Sequence, residues 1–276
     1  PGTPINGRSV TRGNLAIELR DGAAHLSGKA QSDGAPADVF LTLPLSGDGE
    51  TKSVVKLDLD AAAAKSYGLD LGDMLDGSVS VEMTDTGVSR RVSVNLAKAE
   101  INLPLVGFRK PAGKPGTLAF DMVAGPSGTN ISNIALKAGS AELEGQISLN
   151  GDGDFVGANL TKFNFSPADR MTLKASVGDS GLKVAVNGSR LDARALVGSL
   201  LRRTTGTGIP GDMALTLSAA IANVTGEGGE QLDGLNLTAA IAGGRINELS
   251  LTVQTSGGGS ASVTVRPDAA GRNIKV

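Results

Sequence analysis

Cysteine and tryptophan are absent from this 276-residue chain, and histidine and tyrosine each occur once. Without thiols there are no disulfides, no Cys-containing zinc sites and no cysteine nucleophile. With His25 as the one imidazole, multi-histidine metal sites are excluded and a Ser-His-Asp triad has a single candidate base. Charge of one sign does not dominate, at 26 basic against 28 acidic residues, so the footprint of a dedicated nucleic-acid binder is missing. No run approaches the ~18 uncharged apolar residues of a membrane-spanning helix, and no signal peptide opens the chain. The first residue is Pro1, so the sequence reads as an internal piece of a longer protein whose targeting or anchoring segments lie elsewhere.

Glycine is in excess, at 39 residues or about twice the ordinary ~7%. There is no Gly-X-Y period, and 40% apolar residues are too many for a disordered chain. The dominant pattern has period 2, the mark of strands with one apolar face. In Val55-Lys56-Leu57-Asp58-Leu59 the aliphatic and charged positions alternate, and Leu143, Ile147 and Leu149 alternate with Glu142, Glu144, Gln146 and Ser148. The same holds around Val92, Val94 and Leu96, Leu215 and Leu217, Leu249, Leu251 and Val253, and Val263 and Val265. Turn signals such as Asp21-Gly22, Gly151-Asp152-Gly153 and Asn187-Gly188 separate the runs. The spacing predicts roughly fourteen to sixteen short strands.

Two segments depart from this period. Residues 60–67 carry four alanines behind a candidate Asp60 N-cap, and residues 191–203 place Leu191, Ala195, Leu196 and Leu200 at helical steps with Arg202 and Arg203 in the last turn. Both are expected as short helices capping or plugging a β structure. Leu41-Thr42-Leu43-Pro44-Leu45-Ser46-Gly47 recurs weakly as Ile101-Asn102-Leu103-Pro104-Leu105-Val106-Gly107, which suggests stacked modules. The polar, glycine-rich 204–211 then divides the chain into β modules over 1–203 and the start of a further module over 204–276.

Motifs that carry chemistry elsewhere read here as structure. Gly206-Thr207-Gly208-Ile209-Pro210-Gly211 matches the dinucleotide fingerprint by letter, but it follows a helix pattern and precedes a strand pattern, the reverse of what a pyrophosphate site needs. His25 sits in an expected edge strand as an ordinary surface histidine. Asp152 and Asp154 lie in a Gly-Asp-Gly turn. Six Asn-x-Ser/Thr sequons, at Asn130, Asn159, Asn164, Asn187, Asn223 and Asn236, fit chance in Ser/Thr/Asn-rich strands. Arg109, Lys110 and Lys114, among prolines, read as a solvated loop rather than a contact for anionic lipid. No residue set points to an enzyme, and no cofactor or metal is expected.

A membrane barrel would need aromatic girdles that one Tyr and no Trp cannot supply, and the regular rungs of a β-helix are not evident. The expectation is a mainly β fold: an elongated, strongly curved antiparallel sheet of repeating β-groove modules, with two short helices. With strands ~4.8 Å apart, fourteen of them extend roughly 65 Å. An aliphatic trough of that length suits acyl chains and needs no catalytic residue.

Two stretches also resemble a known family. Residues 99–121, from Ala99-Glu100-Ile101-Asn102-Leu103-Pro104-Leu105-Val106-Gly107-Phe108-Arg109-Lys110 onward, are similar to a segment of the large bacterial envelope proteins of the YhdP/AsmA/TamB group, in the YhdP-like branch. So is Gly188-Ser189-Arg190-Leu191-Asp192-Ala193-Arg194-Ala195-Leu196. The resemblance implies a periplasmic protein anchored to the inner membrane by a segment outside this chain. It implies phospholipid transport between the inner and outer membranes, support of outer-membrane integrity, and acyl chains and bacterial membranes as partners. It carries over an inward aliphatic register, with Val55, Leu57, Leu59, Val92, Val94, Leu96, Leu143, Ile147, Leu149, Phe163 and Phe165 as lipid-facing candidates. The alternative is a structural or adhesin-like β array in which these residues pack a closed core, because alternation buries one face in either case.

Overall fold

The computed structural model describes residues 3–5, 8–32, 35–46, 49–60, 63, 74–103, 106–195, 214–243, 245–255, 257–268 and 271–275. Among them the chain is all-β, with twenty strands, and it divides into two compact units. Residues 1–102 and 110–139 form the first, and residues 103–109 and 140–276 the second.

In the first unit, β1 (Thr3–Ile5), β2 (Arg8–Arg20), β3 (Ala23–Ser32), β4 (Ala35–Pro44), β5 (Lys52–Asp60), β6 (Leu75–Asp85) and β7 (Arg90–Asn95) pair in chain order. β10 (Gly116–Gly125) then pairs with β7, and β11 (Gly128–Ala138) with β10. Every pairing in this ladder is antiparallel. The short β8 (Ala99–Leu103) pairs instead with the start of β6, at Leu75, Asp76 and Gly77, and β9 (Phe108–Lys110) follows it. The two copies of the weak repeat therefore have different surroundings: one ends the fully paired β4, the other lies in and after β8.

The second unit contains β12 (Ala141–Leu149), β13 (Phe155–Asn164), β14 (Arg170–Gly178), β15 (Gly181–Asp192), β16 (Leu215–Thr225), β17 (Gln231–Ala242), β18 (Arg245–Thr255), β19 (Ser260–Asp268) and β20 (Gly271–Lys275), again paired in chain order. All pairs are antiparallel except β15–β16, which run parallel from Leu182↔Leu215 to Asp192↔Thr225. A parallel neighbour requires a long return connection. β15 and β16, which lie on either side of the 203/204 junction in sequence, are thus direct neighbours.

Three expectations are corrected. Neither ladder is closed or strongly curled. Sharp curvature needs bulges stacked across successive strands. Among the described residues of the first unit, register shifts occur only in the β2–β3 and β10–β11 pairs, and the pairings between them run without a break. Second, Leu191 and Asp192 belong to β15 rather than to a helix, because their ladder to Val224 and Thr225 outweighs a local helical pattern. Arg194 and Ala195 take helical backbone after the strand, while 196–203, like the Gly206–Gly211 motif, lies outside the described residues. Of the 60–67 helix only Asp60 and Ala63 are described; Asp60 ends β5, and its Oδ1 accepts the Ala63 N–H at 2.7 Å, as an N-cap does. Third, His25 is not on an edge strand: β3 pairs with β2 on one side and β4 on the other.

Glycine does more than make turns. Gly145 holds φ at 151° in β12 beside a register shift, and a Cβ there would run into the Asn159 carbonyl oxygen across the ladder.

Candidate functional site

Cross-strand register turns the alternation into rungs. In the first unit Ala37, Leu57, Val81, Val94, Leu118 and Leu136 stand opposite one another from β4 to β11. The next rung joins Val39, Val55, Met83, Val92 and Phe120, and Leu59 faces Val79. Val55, Leu57, Leu59, Val92 and Val94 therefore share one face. Leu96, just beyond β7, is buried, and its N–H donates to the Gly116 carbonyl at 2.8 Å. Burial along this face is uneven: Val39 and Leu57 are 1% and 3% exposed, whereas Val94 and Leu118 are half-buried.

Between the apolar rungs run polar ones. Asp38, Lys56, Glu82 and Ser93 are successive partners, with a Lys56–Glu82 ion pair at 3.0 Å. A concavity of about 690 Å³ crosses β3 to β7 and β10 at this level, and its lining takes residues from both kinds of rung, including Leu57, Val94 and Leu118 as well as Lys56, Glu82 and Ser93. It is amphipathic.

In the second unit Leu143 faces Phe163, Ile147 faces Ala158, and Leu149 faces Phe155. From Ile147 a rung continues through Ala158, Ala175, Val184, Leu217, Ala239, Leu249 and Val265. Eight strands at ~4.8 Å give it a length of roughly 34 Å. A second rung runs through Leu160, Leu173, Val186, Ala219, Leu237, Leu251 and Val263. Most of these residues were not singled out from sequence, although period 2 marks β18 and β19 as plainly as β5. On the opposite face Lys162 bridges Glu144 at 2.6 Å and Glu142 at 3.2 Å, and these hydrogen bonds hold its ammonium above the ordinary lysine range.

Phe163 and Phe165 are placed differently from the other candidates. Their rings meet edge to face with centroids 5.0 Å apart, and Phe165 also packs on Phe108 at 5.8 Å. Phe163 also lies against the buried cluster of Met171, Ala193, Ile221 and Val224. A polar corner supports that cluster. The buried Asp169 accepts N–H groups from Phe165 and Ser166 on Oδ2, at 2.9 and 2.8 Å, and from Asp192 on Oδ1 at 2.8 Å. Asp192 in turn receives two hydrogen bonds from the Arg194 guanidinium, at 2.8 and 2.6 Å, which hold its carboxyl below the usual carboxylate range. The Leu191-Asp192-Ala193-Arg194 stretch that carries the family resemblance is thus the edge of a buried corner.

The basic loop needs correction at one residue. Lys110 is buried, with Nζ donating to the Ala99 carbonyl at 2.7 Å and the Pro111 carbonyl at 3.2 Å. Burial lowers its pKa. Gly116 leaves room for its stem, because a Cβ there would come within 2.9 Å of Lys110 Cε. Lys110 is therefore a tether and not part of a headgroup-binding surface. His25 is half-buried, with Nδ1 3.2 Å from Thr42 Oγ1 and Nε2 without a partner among the described residues. Asn164, one of the sequon residues, is buried and accepts the Met171 N–H at 3.0 Å, so it is closed to modification.

Among the described residues no three His, Asp or Glu side chains converge as metal ligands, and no helix is long and apolar enough to cross a membrane. Compared with protein-family models, curated proteins and solved structures, the chain matches none.

Proposed function

We propose that this chain is a non-enzymatic conduit module that carries phospholipid acyl chains along its aliphatic face. The parent protein would be periplasmic, anchored to the inner membrane, and would move lipid between the two membranes of a diderm bacterial envelope. One observation carries the reading: aliphatic residues stand opposite one another strand after strand, from Ala37 to Leu136 in the first unit and from Ile147 to Val265 in the second. Each CH₂ taken from water is worth ~0.8 kcal/mol, and on a uniformly aliphatic track that gain changes little from one rung to the next. Movement along it needs no chemical step. The resemblance of residues 99–121 and 188–196 to the YhdP-like branch supports the same reading and supplies the compartment.

Photo-crosslinkers at Leu57, Val94 and Ile147 in the full-length protein test it. Adducts with labelled phospholipid are expected; adducts with protein alone would overturn it. They would favour the second reading, a structural array with a packed core, which the near-complete burial of Val39, Val55, Leu57 and Leu59 supports.

A further inference from the structure

The polar face of the second unit carries a pair of lysines that the chain does not neutralise. A concavity of about 590 Å³ crosses β13 to β16, and its polar lining comes from Asn159, Lys174, Ser176, Lys183, Thr216 and Ser218. The first four flank Ala158, Ala175 and Val184 of the aliphatic rung in sequence, so their side chains point to the other face of the sheet. Two polar rungs supply the lining. Asn159, Lys174, Ala185 and Ser218 are successive partners in one, and Ser176, Lys183 and Thr216 in the other. Lys174 and Lys183 are therefore diagonal neighbours on β14 and β15, roughly 7–8 Å apart at the backbone, and both are exposed. Their long flexible stems can bring both ammonium groups onto one anion. Among the described residues neither lysine has a hydrogen-bond or ion-pair partner, and no carboxylate lines the concavity. The rung of Lys174 continues through Gln146 on one side and Thr238, Ser250 and Thr264 on the other, with no second charge. Along the rung of Lys183 the first carboxylate is Glu248, three strands or roughly 14 Å away, and Arg266 lines the same neighbouring hollow as that carboxylate. The first unit's concavity is built in the same way with the opposite electrostatics: Lys56 is 3.0 Å from Glu82, and Lys29 stands opposite Asp38. There the chain provides its own counter-ions. In the second unit hydroxyl and amide groups, which can donate to an anion, take the place of the carboxylates.

We infer that Lys174 and Lys183, with the hydroxyls of Ser176 and Thr216 and the amide of Asn159, form an oxyanion site for a phosphomonoester. Charge selects the ligand class: two ammonium groups balance the charge of about −1.5 to −2 that a phosphomonoester carries near pH 7, and its three terminal oxygens accept from the neutral donors around them. A carboxylate would leave one ammonium unmatched. The site lies on the face away from the aliphatic rungs, so it does not hold the headgroup of a chain lying on them, and it stands whether those rungs carry lipid or pack a core. The same phosphate chemistry is offered by a soluble sugar or glycerol phosphate and by a phosphatidic acid headgroup at a membrane surface.

Calorimetric titration of the full chain with sn-glycerol 3-phosphate, at an ionic strength held constant with sodium chloride, is the first arm of the test. Phosphatidylcholine vesicles with and without phosphatidic acid are the second. Saturable binding in the first arm supports the site and makes its ligand soluble; binding confined to the phosphatidic acid vesicles supports it and places the phosphate at a membrane. In whichever arm binds, the Lys174→Gln, Lys183→Gln pair is expected to weaken affinity about tenfold or more, since each lysine loses a charged hydrogen bond. Lys174→Arg, Lys183→Arg is expected to keep most of the affinity, and Lys52→Gln, at an exposed lysine opening β5 in the first unit, all of it. A second readout needs no variant: the ligand should slow acetylation of Lys174 and Lys183 by an amine-reactive reagent, read by mass spectrometry, and leave Lys52 unprotected. Absence of saturable binding in both arms overturns the site. So does affinity that the glutamine pair leaves intact, or protection no greater at Lys174 and Lys183 than at Lys52; should the glutamine pair misfold, the protection pattern decides.

Discussion

Leu57 and Leu217 occupy the same kind of position, each in the middle of an aliphatic rung with a strand on either side, yet Leu57 is sealed from water and Leu217 is half-buried. Their immediate rung partners are alike, Ala37 and Val81 for Leu57 and Val184 and Ala239 for Leu217, so pairing along the rung does not account for the difference. Beyond Leu57 the rung continues through Val81, Val94 and Leu118, which are themselves only half-buried. The rung of Leu217 carries alanines at 158, 175 and 239, as that of Leu57 carries Ala37. Period 2 decides which face is apolar but not whether that face is dry. The first unit has its dry core along the strands, whereas the second gathers much of its own at one end, around Met171, Ala193, Ile221 and Val224.

Substitutions can break this contrast. The largest effect is expected at the corner that supports the second unit's buried end. Asp169→Ala removes the acceptor for three backbone N–H groups, each costing ~1–3 kcal/mol when left unpaired in a buried place, so a loss of about 4 kcal/mol in urea unfolding is expected. A loss below about 1 kcal/mol would mean that the corner does not hold the cluster together. Truncating the two leucines tests the contrast itself. Leu57→Ala is expected to cost about 3 kcal/mol, as a sealed leucine does, and Leu217→Ala about 1 kcal/mol. Equal costs would show that the difference in exposure has no energetic counterpart. Acyl chains, in turn, should slow amide exchange around Leu217 more than around Leu57, because Leu57 itself has no apolar surface left to cover.

These differences mark what could be read from the amino-acid order. The strands β5, β7 and β12 were legible because alternation is a local property, and the shared face of Val55, Leu57, Leu59, Val92 and Val94 follows from it once the strands pair antiparallel. Lys110 and Asp169 were not legible. A buried ammonium or carboxylate depends on partners fixed by the tertiary fold, the carbonyl of Ala99 in one case and the N–H of Asp192 in the other. The interior place of His25 was missed for the same reason, since edge or centre is decided by which strands lie alongside. Leu191 misled because its helical spacing is real, but ten paired positions with β16 offer the backbone a better set of hydrogen bonds. Sequence signals of this kind are outweighed wherever a distant strand supplies the partner.

Lys110→Met gives a smaller effect in the first unit. Methionine keeps most of the apolar stem in the space beside Gly116 but leaves the Ala99 carbonyl without its donor, and a cost of about 2 kcal/mol is expected. Its pH signature is distinctive. Burial lowers the folded-state pKa of Lys110, so between that value and the ordinary ~10.4 the unfolded chain holds the extra proton. Stability contributed by this group therefore rises with pH across that window, and the methionine variant should lose the rise. A variant whose alkaline profile matches the parent would show that the amine is not desolvated.

The smallest effect belongs to the second unit's corner and has the opposite form. Hydrogen bonds from Arg194 hold the Asp192 carboxyl below its unfolded value of ~3.9, so its contribution to stability is fully present above that value and is lost as pH falls through the lower, folded one. In Asp192→Asn this part of the acid sensitivity should vanish while stability near neutral pH drops only slightly, because Asp169 still receives the backbone N–H of residue 192. Acid titrations followed by circular dichroism distinguish the two units by sign, the first gaining stability toward alkali through Lys110 and the second losing it toward acid through Asp192. If Asp192→Asn instead unfolds the cluster around Met171 at neutral pH, then the Arg194 pair, and not Asp169, holds that end of the sheet.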